Sequence, residues 1–181
     1  MNGILIVPNF LAPEKCVDLV YMLSQAAEFR IGALAANRVE IPAWEMPAAG
    51  RTIIREFQTQ ATALLREHFA DWVRMEYCVL TSNYTGDSHV AHCDNCLDDG
   101  SPNHTPWRSH TCNLYLDDNY TGGEFAFPEL GIEMVPTPGM LLAFPSGREF
   151  KHQVYPIDGG ARHSVLSWFT ADPARAMREL W

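Results

Sequence analysis

His92, Cys93 and Asp94 stand in a row, with His152 far downstream and Arg162 ten residues after it. Two neutral imidazoles and one carboxylate can fill one face of a divalent iron and leave the other positions open for a co-substrate and dioxygen. An arginine keeps its charge at every accessible pH and grips a carboxylate through two parallel hydrogen bonds. Arg162 therefore adds a fixed anchor for an acidic co-substrate. Alone, a His-x-Asp is a common pattern and a lone arginine is usually half of a surface ion pair. It is the ordered set that points to an iron-dependent site.

For that set to converge, the chain must supply strands. Residues two apart on a strand share a face, so His92 and Asp94 can reach one ion, and Arg162 and Ser164 can enter one cavity. From Met75 onward, short β-type runs at 77–82, 90–93, 111–116, 123–127, 139–144, 152–155 and 164–170 are separated by Gly, Pro, Asn and Asp. Such spacing indicates a sandwich or barrel rather than a βαβ fold. Upstream, Ile4 to Val7 is of strand type. Pro13-Glu14-Lys15 opens an amphipathic helix with Cys16, Leu19, Val20 and Leu23 on one face, and a second helix is predicted over about 51–72, with Ile54, Phe57, Ala61, Leu64, Leu65 and Phe69 inward. Residues 31–50, rich in Ala, Pro and Gly, predict a loop or weak hairpin. The expected class is α+β, mainly β. One domain is expected over residues 1–181: a helical N-terminal scaffold over about 1–74, then a cupin-like jelly roll (a double-stranded β-helix) over about 75–173.

The 181 residues, 47% of them hydrophobic, are enough to bury one core. A net charge of −9 argues against a general nucleic-acid binder, which needs a basic footprint. No apolar stretch approaches the length of a membrane span. The first residues lack a basic segment and are interrupted by Pro8, so no signal peptide is expected. Five cysteines without such a signal read as reduced thiols in a cytoplasmic protein.

The wider motif set is more specific than any one motif. Tyr84 and Gly86 precede residues 89–95 (HVAHCDN), followed by 111–116 (TCNLYL), Gly122-Gly123-Glu124-Phe125, 144–147 (FPSG), His152 and Arg162. In this order, covering roughly 77–173, the chain resembles the catalytic domain of the Fe(II)- and 2-oxoglutarate-dependent dioxygenases, in the prolyl hydroxylase branch. Residues 92–96 (HCDNC) and 168–173 (WFTADP) are most similar to the prolyl 3-hydroxylase, leprecan-type, domain.

The resemblance implies that His92, Asp94 and His152 bind iron. Arg162 would hold the distal carboxylate of 2-oxoglutarate, with Tyr115 as hydroxyl partner, Ser164 or Thr111 nearby, and Tyr84 lining the co-substrate or substrate side. It further implies O2 as the other co-substrate, ascorbate as a reductant, and decarboxylation to succinate and CO2 coupled to hydroxylation of a C–H bond. The implied substrate is a prolyl residue in a peptide or protein, with free proline, another small amino acid or a natural-product scaffold as alternatives. Relatives often carry an aromatic residue where this chain has His89. Trp168 either walls the pocket or is core.

Two other readings stay open on the residues alone. Cys93-x-x-Cys96, with His89, His92, His104, His110 and Cys112 near in sequence, could form a structural zinc site, although strand alternation turns Cys93 away from His92 and Asp94. A catalytically silent cupin-like binding module would keep the fold without the chemistry. Residues 95–109 are long for a hairpin loop and read as a lid. Asp98, Asp99, Trp107 and Arg108 in it, and Arg148 before His152, are the candidate substrate contacts.

Overall fold

A computed structural model describes residues 3–28 and 37–177. In chain order the elements are β1 (Leu5–Val7), α1 (Pro13–Glu28), β2 (Arg38–Pro42), α2 (Ala48–Phe69), β3 (Arg74–Tyr84), β4 (His89–His92) and β5 (Arg108–Tyr115). They continue with β6 (Tyr120–Gly122), β7 (Phe125–Phe127), β8 (Ile132–Met134), β9 (Leu141–Pro145), β10 (His152–Val154) and β11 (Ile157–Thr170). All strand pairs are antiparallel. The main sheet runs β1-β9-β5-β11-β3-β2, with β6 also on β11, and a smaller sheet runs β4-β10-β7-β8.

Strand alternation divides the apolar residues between two cores. On β9, Leu141 and Ala143 join the cluster under the helices, while Leu142 and Phe144 join Tyr115, Phe125 and Phe127 between the sheets. The helices fill the first core from the other side. Pro13 starts α1 where no intrahelical N–H partner is needed, and Cys16, Leu19 and Leu23 are buried along one stripe. On α2, Ile54, Phe57, Ala61 and Leu65 do the same. Each fully buried large side chain contributes about 1.5–3 kcal/mol from apolar burial.

Several elements differ from the sequence expectation. Helix α2 begins at Ala48, directly after Pro47, and ends at Phe69, because Ala70 adopts the left-handed conformation at φ 51°. The 31–50 segment contains a strand, β2, paired with β3 from Arg38↔Asn83 to Pro42↔Val79; its residues 31–36 lie outside the described residues. With β1 on β9, the region up to residue 74 supplies both edges of the main sheet as well as helices. Strands β6 and β8 were not expected. β11 starts at Ile157 rather than Ser164, since its Asp158-Gly159-Gly160 start, turn-like by composition, pairs with β6. Gly160 sits at φ 84°, and a Cβ there would lie 2.3 Å from the Asn119 carbonyl oxygen.

Candidate active site

The two sheets bring together the three residues of the His-x-Asp…His pattern. His152 on β10 is the register partner of His92 at the end of β4. Asp94 lies just past β4 rather than on it, held by its backbone N–H donating to the Ser146 carbonyl at 3.2 Å. Its carboxylate oxygens lie 3.8 Å from His92 Nε2 and 3.7 Å from His152 Nε2, and one candidate ligand atom from each residue falls within 4.8 Å of the others.

The surrounding contacts prepare each group as a metal donor. His92 Nδ1 is 2.8 Å from the Val90 carbonyl, and His152 Nδ1 is 3.0 Å from that of Phe150. A carbonyl can only accept, so Nδ1 carries the proton in both rings and Nε2 presents its lone pair inward. Thr111 donates its hydroxyl hydrogen to Asp94 Oδ2 and receives one from Ser146, 2.9 Å away. Phe125 stacks on the His152 ring at 5.4 Å, with Phe144 at 4.8 Å. Burial in this apolar cage lowers the His152 pKa, which favours the neutral, ligating form.

The same cleft contains Arg162, only 4% exposed. Its Nη1 donates to the Gly123 carbonyl at 3.1 Å, while Nε has no partner. Gly122 and Gly123 both have positive φ, and a Cβ on Gly122 would meet the Pro156 carbonyl oxygen at 2.3 Å, so the Gly-Gly turn that aims this carbonyl requires glycine. Among the described residues no carboxylate pairs with Arg162. Beside it, the buried Tyr115 hydroxyl also lacks a partner, and burial pushes its pKa up to about 12, so it remains a donor. A buried cation without an anion is costly. A bound carboxylate would satisfy both groups at once.

The residues 79–170 match the model of the 2OG-Fe(II) oxygenase superfamily. The chain belongs to that family. Among curated proteins it is similar to prolyl 3-hydroxylase 2 of Rattus norvegicus, 37% identical over 98 residues, covering 48% of this chain and 14% of that protein. Human prolyl 3-hydroxylase 1 is 33% identical over 105 residues, covering 51% and 14%. The alignments thus span 14% of the length of these relatives. Among solved structures, a viral collagen prolyl hydroxylase of Paramecium Bursaria Chlorella virus-1, in complex with 2OG, has a TM-score of 0.74 at 20% identity, covering 94% of this chain and 96% of that one. A Trichoplax adhaerens prolyl hydroxylase, bound to a hypoxia inducible factor peptide fragment, has 0.75 at 19%, covering 99% and 88%. These likenesses bear on the fold, which is that of a double-stranded β-helix oxygenase.

For a 2OG-Fe(II) oxygenase, the donor set fits its metal and the unpaired Arg162–Tyr115 corner fits a co-substrate carboxylate. Three expected contacts need correction. Tyr84 packs among the residues under the helices, because on β3 it alternates with Asn83, and Asn83 faces the cleft. Thr111 lines the cleft but spends its hydrogen on Asp94. Thr81 donates to Asn83 Oδ1, so the Ser164 hydroxyl, 2.8 Å from Thr81, must donate to Thr81 and has no hydrogen left for a ligand.

The 95–109 loop is tied down rather than poised over the cleft. Asn103 and Thr105 side chains donate to the Asp94 carbonyl at 3.2 and 2.8 Å. Asp98 pairs with Lys151 at 2.8 Å, Asp99 accepts from Ser101, and Trp107 and Arg108 both donate to Glu76. These four and Arg148 are absent from the cleft lining. His89 does line it, and burial lowers its pKa to about 4, so it is neutral near pH 7.

Cys93 is buried, its thiol pushed up to about 11 by burial and by neighbouring Cys96. Among the described residues, the His92, Asp94 and His152 group is the only set of three ligands close enough for a metal, so no zinc site forms around the Cys-x-x-Cys. The lining residues Asn113, Leu166 and Asn83 were missed. Alternation from Thr111 to Tyr115 and from Ser164 to Trp168 signals the first two; Asn83 emerges only from its pairing with Arg162.

Proposed function

We propose that this protein is an Fe(II)- and 2-oxoglutarate-dependent hydroxylase that acts on a prolyl residue of a peptide or protein. The observation that carries the reading is the juxtaposition in one cleft of the His92–Asp94–His152 donor set with a buried, anion-free Arg162 and the unpartnered Tyr115 hydroxyl. The prolyl hydroxylase relatives support the substrate class.

In this reading His92 Nε2, the Asp94 carboxylate and His152 Nε2 hold the iron, and Arg162 with Tyr115 binds the distal carboxylate of 2-oxoglutarate. Bound Fe(II), with dioxygen and the keto acid, supplies the oxidising chemistry for hydroxylating an unactivated C–H bond. The chain's own groups orient and protect. The Val90 and Phe150 carbonyls fix the two imidazoles, and Thr111 fixes the Asp94 carboxylate. Arg162 sets how far the co-substrate reaches toward the metal. Phe125 and Phe144 keep water from the His152 side, while Leu166 and Trp168 wall the cleft along β11.

Five free thiols support a reducing, cytoplasmic setting. Ascorbate would serve to keep the iron reduced. The test is incubation with Fe(II), ascorbate and 2-oxoglutarate beside proline-containing peptides, free proline and other amino acids, measuring succinate and a one-oxygen mass gain. Product on a peptide prolyl residue is expected. Product on free proline alone would move the substrate to small amino acids, and no succinate with any substrate would leave a binding module.

A further inference from the structure

A row of rings leads out of the cleft, and beyond Trp168, which walls it, the row has no part in the chemistry above. Trp168 lines the cleft from β11, and its register partner on β3 is Tyr77. Their rings stack with centroids 6.0 Å apart and planes at 23°. Trp44, in the 3-10 turn after β2, meets Tyr77 edge-on at 5.6 Å and 67° and is 41% exposed. The row therefore steps from β11 across β3 to the segment beyond β2. The core between the sheets draws on β5, β7, β9 and β10 and takes no buried residue from β2 or β3, so the smaller sheet does not fill this part of the main sheet's cleft-side face.

The inner end of the row is held rigidly. The Arg108 guanidinium lies 4.1 Å from the Trp168 ring centre and is fixed by Glu76 at 2.9 Å. Trp168 Nε1 is buried without a partner, an unused donor at the point where the row joins the cleft. An extended chain places alternate side chains on one side about 6.6–6.8 Å apart, close to the ring spacings here. Aromatic rows suit proline-containing segments, whose flat apolar rings pack on them and whose backbone is already extended before binding.

We infer that Tyr77 and Trp44, beyond a Trp168 ring already covered by Arg108, form a shelf for the peptide flanking the reacting residue, taking the side chains two and four positions away and favouring proline there. The inference rests on the prolyl-peptide reading and adds a sequence preference to it. The shelf gives specificity at residues that never approach the metal. Its partner is a peptide in extended conformation, and its carbonyl nearest the cleft is the acceptor for Trp168 Nε1.

The test is equilibrium binding, by calorimetry, to protein loaded with Mn(II) and 2-oxoglutarate so that no turnover occurs. Two blocked nonapeptides with a central proline are compared: one has proline also two and four positions to either side and alanine elsewhere, and the other has alanine at every position but the centre. The parent should bind the first roughly 10-fold more tightly, as aromatic contacts of this kind provide. Trp44→Ala and Tyr77→Leu should each remove at least about half of that advantage in log units, and Trp44→Phe should retain it. Melting curves confirm that the variants fold, and Trp44 alone decides the matter if Tyr77→Leu does not. Equal parent affinity for the two peptides, or an undiminished advantage in Trp44→Ala, overturns the shelf. Iron-loaded parent given both peptides separates the two ideas: hydroxylation without an affinity difference sinks the shelf alone, and an affinity difference without hydroxylation of either peptide sinks the prolyl reading alone.

Discussion

Strands β3 and β11 pair along ten residues, yet their two faces meet opposite demands. Toward the helices they present Cys78, Leu80, Val165 and Phe169, all fully buried against α1 and α2. Toward the cleft they present Asn83, Arg162 and Ser164, where Arg162 Nε is buried without a partner. The helix face contributes stability through apolar burial. The cleft face gives some of it back, because it holds a desolvated cation and polar atoms in place before their ligand arrives. Stability and binding are thus assigned to opposite faces of the same strands, and substitutions should separate them.

The largest effect is expected at Asp94. Asp94→Ala should lower 2-oxoglutarate turnover by about 10³-fold or more, while the metal-free protein melts close to the parent. A large drop in melting temperature would break the division, since it would make the cleft face part of the structural core. The reverse case is Leu80→Ala, which removes a fully buried side chain on the helix face. It should cost about 2–5 kcal/mol, seen as a midpoint lower by roughly 5–15 °C, with the iron affinity of the folded fraction unchanged.

Arg162→Gln should weaken 2-oxoglutarate binding by about 30-fold or more, the cost of losing a buried charged anchor. The metal-free variant should melt at or above the parent, because the orphaned cation is gone. Calorimetry with 2-oxoglutarate beside a melting curve checks both halves. Thr111→Val should reduce iron affinity by about 10-fold, the usual scale for a group that orients a ligand, measurable by competition with a chelator.

The smallest effect concerns pH. Burial holds His89 at about 4, below its ordinary 6.5, and lowers His152 and His110 as well. The unfolded chain therefore takes up these protons first, and stability of the metal-free protein should fall as pH drops from about 6.5 toward 4. His89→Asn should lessen that fall. Urea midpoints near pH 7 and near pH 5 show whether the slope changes; an unchanged slope would mean that His89 is solvated.

Much of this was legible in the residues. The β-type runs from Met75 onward correspond to seven of the strands, and the apolar stripes of α1 and α2 mark their inward faces. That His92, Asp94 and His152 share one cleft with Arg162 was legible because their side-chain types are uncommon in that order. β2 was not, since Pro42 and the surrounding alanines say nothing of strand until β3 provides a ladder five residues long. The 95–109 loop misled for a related reason. Asp98, Trp107 and Arg108 have the composition of contact residues, but their partners Lys151 and Glu76 are distant in sequence and claim them first.

The sequence by itself determined what His92, Asp94, His152, Arg162 and Tyr115 can donate or accept, because those capacities belong to each side chain wherever it lies. It also placed the chain among the oxygenases through the order of its motifs. Only the tertiary structure decided that Asn83 rather than Tyr84 faces the cleft, that Thr111 serves Asp94, and that Trp168, Tyr77 and Trp44 form one row. Those outcomes depend on register between segments far apart in the chain, such as Arg162 opposite Asn83. A shift of one residue would turn every side chain on the strand to the other face, and it is packing across both cores that sets it.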